Sequence, residues 1–387
     1  MGKTQNLIKA RFATCAFFFM QGIIFSTWTT RIADIRTMLN LTEKDLGRIL
    51  FGLPLGQFIT MAFSGYLVSK FSSKRCILLG SILYPVSLLL IETAQGLWSL
   101  FACLVCLGIA ANINNIAINT QAVSVQNLNE KSIMGTFHGT WSLGCFCGGW
   151  VTMLLINLDI GISQHFLITI AYSFLTIAIC WKMLLPSDSK KDESPQDAQK
   201  TRGMFSPTPF ILMLGVTAFG SMSCEGTMFD WSVIYFRDVV KTPNDISNFG
   251  YIAFMSMMAL GRFLSDFTVQ RFGAIRILQV SGLIITTGML LAVIFPHIIT
   301  AVLGFFLVGL GVSSVVPICY SATAKSKRMP TGIAIATVCS IGFIGFLLVP
   351  PLIGYIAEAT NLRVSFAIMA CFGLLVSFIA PYLRIRL

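Results

Sequence analysis

Long apolar runs alternate with short polar joints along the whole chain. Twelve stretches are mostly apolar, roughly at 10–34, 46–69, 76–93, 97–123, 135–157, 162–185, 208–236, 247–269, 275–295, 299–323, 331–356 and 363–383. A bilayer core is about 30 Å thick, and a helix needs about 20 such residues to cross it. Only helices and closed barrels satisfy their backbone groups in lipid. Barrel strands alternate in polarity over about ten residues, whereas these runs are longer and continuously apolar. The pattern predicts an all-α integral membrane protein with twelve transmembrane helices. The first run follows Lys3, Lys9 and Arg11 and continues to Ile32. It lacks a small-residue cleavage site at the usual distance, so it reads as the first span rather than a secretory signal.

One joint differs from the rest. Pro186 to Pro207 is polar and mixed in charge, and reads as a flexible linker. It divides the chain into an N-terminal six-helix bundle at 1–186, a cytoplasmic linker at 187–207 and a C-terminal six-helix bundle at 208–387. No joint is long enough for a soluble catalytic domain, which argues against an enzyme.

Charge sharpens this picture. Charged residues are 11% of the 387, against roughly 25% in a soluble domain, yet the net charge is +11. Such a balance in a soluble protein points to nucleic acid. In a membrane protein it records orientation, because cytoplasmic joints collect Lys and Arg. With the N-terminus inside, Arg31, Arg36, Lys44, Arg48, Arg237, Lys241 and Arg363 fall outside, and the other 20 of the 27 cations fall inside. Both termini are therefore expected in the cytoplasm, and no nucleic-acid partner is needed. The eleven cysteines sit almost entirely within spans. Cys103 and Cys106, and Cys145 and Cys147, lie in apolar helix without a second pair nearby, so they read as small buried residues, with no metal, disulfide or cofactor expected. No phosphate-binding glycine loop is present, which argues against ATP-driven transport.

The halves repeat weakly. Gly65-Tyr66-Leu67-Val68-Ser69-Lys70-Phe71-Ser72-Ser73-Lys74-Arg75 closes the second span, and Asp266-Phe267-Thr268-Val269-Gln270-Arg271-Phe272-Gly273-Ala274-Ile275-Arg276 closes the eighth. Two six-helix halves on a polar linker are what transporter repeats look like. The chain resembles the major facilitator superfamily over its whole length. That family's loop motif, Gly-x-Leu-x-Asp-Arg-x-Gly-Arg-Arg, is matched by Gly65, Leu67, Lys70, Lys74 and Arg75, while Ser69 and Gln270 replace its acidic residue. Further segments carry a more specific likeness. They are Ile133-Met134-Gly135-Thr136-Phe137-His138-Gly139-Thr140-Trp141-Ser142-Leu143-Gly144, Glu225-Gly226-Thr227-Met228-Phe229-Asp230-Trp231-Ser232 and Val349-Pro350-Pro351-Leu352-Ile353-Gly354. They resemble a bacterial inner-membrane branch similar to the fucose-permease group. The resemblance implies secondary transport, of sugar-like solutes with protons, by a monomer in the bacterial inner (cytoplasmic) membrane.

Ionisable groups inside lipid are functional candidates by default. Glu225 lies within about 5 Å of the predicted middle of span seven at 1.5 Å per residue, between Gly220 and Gly226. A carboxylate so placed suits proton or substrate binding, with a structural hydrogen bond as the bland reading. Asp230 is more than one turn nearer the outside. It joins the site or closes an outer gate with Arg31, or is an interfacial acid with water access. Trp231 is a belt anchor or a stacking surface. Asn112, Asn115 and Asn119 share one face of span four. They suit a neutral polyhydroxy solute, or else bond other helices at about 0.6 kcal/mol each. Asn114 and Gln121 are offset from that face. His138 and Trp141 share a face of span five with Cys145, and Gln21, Phe25 and Trp28 share one on span one. Lys70, Arg75 and Arg271 belong to the cytoplasmic gate. Gly261-Arg262 with Asp266 is expected to supply a charged latch there in place of the missing acids. His165 and His297 are expected to be solvated in outer joints. Gly108, Gly309 and Gly311 should allow close packing, and Pro350-Pro351 should break span eleven.

The residues thus point to alternating access by a proton-coupled transporter of a small sugar- or polyol-like solute, since few fixed cations stand near the centre for an anion. Proton-driven efflux of amphipathic compounds is the first alternative, favoured by Phe- and Met-rich walls. A transport-incompetent sensor or scaffold is the second, permitted by Ser69 and Gln270 in the gate.

Overall fold

The computed structural model describes residues 2–128, 133–186, 208–323 and 331–385. The proposed linker at 187–207 lies outside them, as do Lys131, Lys325, Lys327, Arg328 and Arg386. The main helices are α1 (Gly2–Thr29), α2 (Gly52–Phe71), α3 (Ser73–Val86), α4 (Leu97–Asn127), α5 (Met134–Asn157), α6 (Ile162–Cys180), α7 (Pro209–Asp238), α8 (Phe249–Phe272), α9 (Ala274–Ile294), α10 (Ile298–Thr323), α11 (Thr331–Ala359) and α12 (Leu362–Ile379). Short helices Ile32–Met38, Glu43–Leu50 and Leu88–Glu92 extend the first three spans. Among the described residues ten helices are long and apolar enough to cross a membrane. The pair Glu43–Met61 and Phe63–Phe71, bent by 50°, makes an eleventh. The 24-residue α8 completes the twelve spans predicted from the apolar runs.

Local chemistry sets the helix ends. The Thr42 hydroxyl accepts from the Asp45 amide at 3.2 Å, and the Asn361 Oδ1 accepts from the Val364 amide at 3.1 Å. Thr208 does the same for α7 with Pro209 at its first position; such caps satisfy amides that the helix leaves free. The turn between α2 and α3 passes through Ser72 at φ 73°. Its counterpart between α8 and α9 is Gly273 at φ 83°. These residues occupy matching places in the two sequence repeats, so the repeat extends to backbone geometry.

The packing is duplicated as well. In the first half α1 packs on α5, α2 and α3 on α4, and α3 on α6; in the second α7 packs on α11, α8 and α9 on α10, and α9 on α12. Glycines permit the closest approaches. A side chain on Gly56 would run into the Val105 carbonyl, and one on Gly108 into that of Leu53. Gly309 meets the Phe254 carbonyl in the equivalent α8–α10 crossing. Small residues at such crossings let backbones meet where lipid supplies no hydrophobic drive. The fold is two pseudo-symmetric six-helix bundles.

Span eleven departs from expectation. α11 runs unbroken from Thr331 to Ala359 through Pro350 and Pro351. Each proline removes one amide donor but keeps a helical φ, and neighbouring helices hold the segment in place.

We call the side where α1 begins and α12 ends the terminal face, and the other the latch face. Between the halves, α5 packs on α8, and the Glu43–Leu50 helix packs on α11 near the latch face. There Gly47 and Gly354 bring two backbones together. Farther in, the Phe58 and Phe343 rings stack at 6.4 Å. Toward the terminal face from that contact, Phe63 and Tyr66 of α2 are each 55% exposed. The contacts of the first half with α11 thus lie at the latch face and at the Phe58–Phe343 pair.

Candidate functional site

Glu225 lies 13 residues from the end of α7 at Asp238, and Arg262 lies 13 residues from the start of α8 at Phe249. At 1.5 Å per residue both sit about 20 Å from the latch face. Arg262 Nη2 meets Glu225 Oε1 at 2.9 Å, and Nη1 donates to Ser142 Oγ on α5 at 2.7 Å. The guanidinium carbon is 5.5 Å from the centre of the Trp141 ring. The side chains of Arg262 and Glu225 are 17% and 7% exposed. One charged cluster thus ties α7 and α8 to α5 of the other half. Taking both charges from water is costly, and the cost is recovered only while the pair stays matched.

This placement corrects two expectations. Arg262 does not latch the terminal face, because it is ten residues from the end of α8 and its guanidinium turns to Glu225. The Asp266 side chain lies outside the described residues. Arg262 also places a fixed cation beside Glu225, where few were expected. The sequence hid the pairing because the partners come from different helices 37 positions apart.

One turn from Glu225 toward the latch face, Phe229 anchors an aromatic septum. Its ring centroid is 4.9 Å from Phe25, 5.6 Å from Phe254, 6.0 Å from Trp141 and 6.2 Å from Phe346. These five rings come from five helices of both halves. Trp28 and Trp231 are packed in the interior. Full burial removes the belt-anchor reading for Trp231, whose indole N–H has no partner among the described residues.

The polar face of α4 divides as its spacing predicts. Asn114 accepts from Ser81 Oγ at 3.2 Å, and Gln121 accepts from Ser73 Oγ at 2.8 Å, so the two offset amides hold α3. Asn112 is buried with an unpartnered Oδ1, and Gln21 on α1 has an unpartnered Oε1. Buried acceptors without a protein partner are the atoms that a polar solute or water would satisfy. Asn119 Nδ2 donates to Asn115 Oδ1 at 2.9 Å, and Asn115 is exposed. His138, one turn from Ser142 toward the terminal face, is exposed while its ring sits 5.5 Å from that of Phe18.

The latch face carries ion pairs that the sequence reading missed. Arg237 donates to Asp34 at 2.5 Å, and Arg36 pairs with Asp238; both pairs join the two halves. Arg36 also meets Glu43 at 2.7 Å, and Arg31 meets Asp34 at 3.0 Å. Arg48 Nε donates to Tyr355 Oη at 3.0 Å alongside. The expected pairing of Arg31 with Asp230 is therefore replaced by Arg31 with Asp34, while Asp230 is half-buried with no ion pair among the described residues. His165 is not solvated but buried, with Nδ1 accepting from Arg31 Nε at 3.2 Å. A signal was available, because spans one and seven are symmetry mates and both close on mixed charges, Arg31, Asp34 and Arg36 in one and Arg237 and Asp238 in the other.

At the terminal face Lys70, Arg75 and Arg271 are exposed. Lys70 lies over the Tyr66 and Phe71 rings, and none of the three forms an ion pair among the described residues.

Residues 11–340 match the family model described as Major Facilitator Superfamily. The chain is 27% identical over 366 residues to an uncharacterised MFS-type transporter of Yersinia pestis, covering 95% of this chain and 94% of that one. Its fold is similar to the crystal structure of the nucleoside transporter NupG, with a TM-score of 0.72 and 14% identity over 97% of this chain and 99% of that one. It is also similar to FucP in the outward conformation, with a TM-score of 0.64 and 15% identity over 96% and 97% of the two chains.

Proposed function

Because the chain belongs to the major facilitator superfamily, we propose that it is a proton-coupled secondary transporter carrying a small polar solute by alternating access. Family membership makes it a multi-pass membrane transporter rather than an enzyme. The observation that carries the finer reading is the Glu225–Arg262–Ser142 cluster. A proton on Glu225 removes the counter-charge of Arg262. Arg262 is also the residue that bonds across to α5, so protonation is felt at the seam between the halves. Rocking one half against the other about a midplane site is how such folds alternate access.

The solute class is sugar- or polyol-like. The unpartnered acceptors of Gln21 and Asn112, the Asn115–Asn119 amides and the Trp141 ring favour it. The exposed cations Lys70, Arg75, Arg271 and Arg276 on the terminal face favour a cytoplasmic position for that face. The protein then stands in a bacterial inner membrane, both termini cytoplasmic, closed to the outside and working as a monomer. Glu225→Gln is expected to abolish pH-driven uptake in proteoliposomes while substrate exchange continues. Uptake still driven by a pH gradient in that variant would end the coupling assignment.

The aromatic septum around Phe229 favours a second reading, efflux of amphipathic compounds. Competition between sugars and hydrophobic cations for one transport event separates the two.

A further inference from the structure

We propose that the solute carries a carboxylate, and that this group takes the place of Glu225 on Arg262 when Glu225 is protonated. The inference rests on the proton-coupled reading above and deepens it to a substrate class, a small polyhydroxy carboxylate. The sequence argues for a neutral solute because few fixed cations are evident near the centre. Arg262 is such a cation, at the depth of Glu225.

Three features of the cluster support the exchange. The first is accessibility: Arg262 is the more exposed partner, at 17% against 7% for Glu225. The second is unused capacity. The guanidinium meets Glu225 through one nitrogen only, with the other terminal nitrogen on Ser142. A planar guanidinium has five N–H donors and suits two-point contact with a carboxylate. The third is the energetic asymmetry of a buried pair. Removing one charge strands the other, so neutral Glu225 leaves an uncompensated cation that an anion satisfies and an alcohol does not. The exposed cations at the terminal face would raise the local concentration of anions on that side. The hydroxyls of the solute would meet Gln21 and Asn112, whose acceptors lack partners.

The balance is simple. One proton moves from water to the Glu225 carboxylate, and one ligand carboxylate moves from water to Arg262. The loaded carrier keeps the net charge of the empty one, so transport is electroneutral.

Acetate and acetamide provide a matched pair of probes, equal in shape and different in charge. Acetate is expected to raise the melting temperature of purified Glu225→Gln in a concentration-dependent way, and acetamide is not. The double variant Glu225→Gln with Arg262→Gln should lose the acetate response. Should Glu225→Gln fold poorly, the same comparison is made on the unaltered protein, where the acetate response should grow as pH falls. Equal responses to acetate and acetamide, or none, would overturn the proposal. A screen of sugar acids, each against its own alditol, should favour the acid; preference for the alditols would also overturn it. The coupling reading fails separately, if pH-driven uptake persists in Glu225→Gln while acetate still stabilises that variant.

Discussion

Gly47→Ala tests whether the contact of the Glu43–Leu50 helix with α11 holds the latch face shut. A Cβ at Gly47 would lie 2.8 Å from the Pro350 carbonyl oxygen, 2.9 Å from Gly354 Cα and 3.2 Å from Pro351 Cα. All three are backbone atoms and cannot rotate away. Non-bonded carbons settle at about 3.5–4.0 Å, so the two helices must part by roughly half an ångström or more. Overpacking of this kind costs about 1–3 kcal/mol, and only the closed state bears it. Alanine also favours the helix over glycine by about 1 kcal/mol, but equally in both states, so that gain cancels from the equilibrium. The closed-to-open ratio should therefore fall by roughly 5- to 150-fold. Spin labels at Glu92 and Thr360, exposed on the latch face of opposite halves, report the opening in a background without reactive cysteines. The expected result is a new population at longer distance, and Gly354→Ala should reproduce it. A distance distribution identical to that of the parent would refute the reasoning, since the methyl would then have been absorbed without moving either helix.

Three other perturbations have definite expected outcomes. Ser72→Gly should raise the melting temperature, because φ 73° with ψ 151° is a region that costs a side chain about 1–3 kcal/mol; Gly273→Ala should lower it. His165→Leu should lower stability by about 1–3 kcal/mol, because it strands the Arg31 Nε donor within the first half, while His165→Gln should recover part of that loss; thermal melts read both. Asn114→Ala should cost only about 0.6 kcal/mol and leave transport intact, whereas Asn112→Ala should weaken solute binding with little change in stability. Paired uptake and thermal-melt measurements separate the two positions.

How much could be read in advance varies from element to element. The twelve spans were legible because crossing lipid demands long apolar helices, a constraint each segment meets alone. Asn114 and Gln121 could be set apart from Asn112, Asn115 and Asn119 because helical periodicity is local too. The span-eleven break misled because two prolines weaken a helix without ending it when its neighbours hold it. His165 misled because its position near a helix end suggests water, and only packing shows that Arg31 covers it.

The sequence by itself determined the membrane class, the number of spans, the duplicated halves and the depth of Glu225. Each follows from hydrophobicity, period and spacing within one stretch of chain. The tertiary structure alone decided the partners. It set Arg262 against Glu225 rather than beside Asp266 in a terminal-face latch, joined Asp34 to Arg237 and Arg36 to Asp238, and gathered four rings around Phe229. Ion pairing and ring packing act over a few ångströms between residues far apart in the chain, so the packing of the helices selects which charges and rings meet.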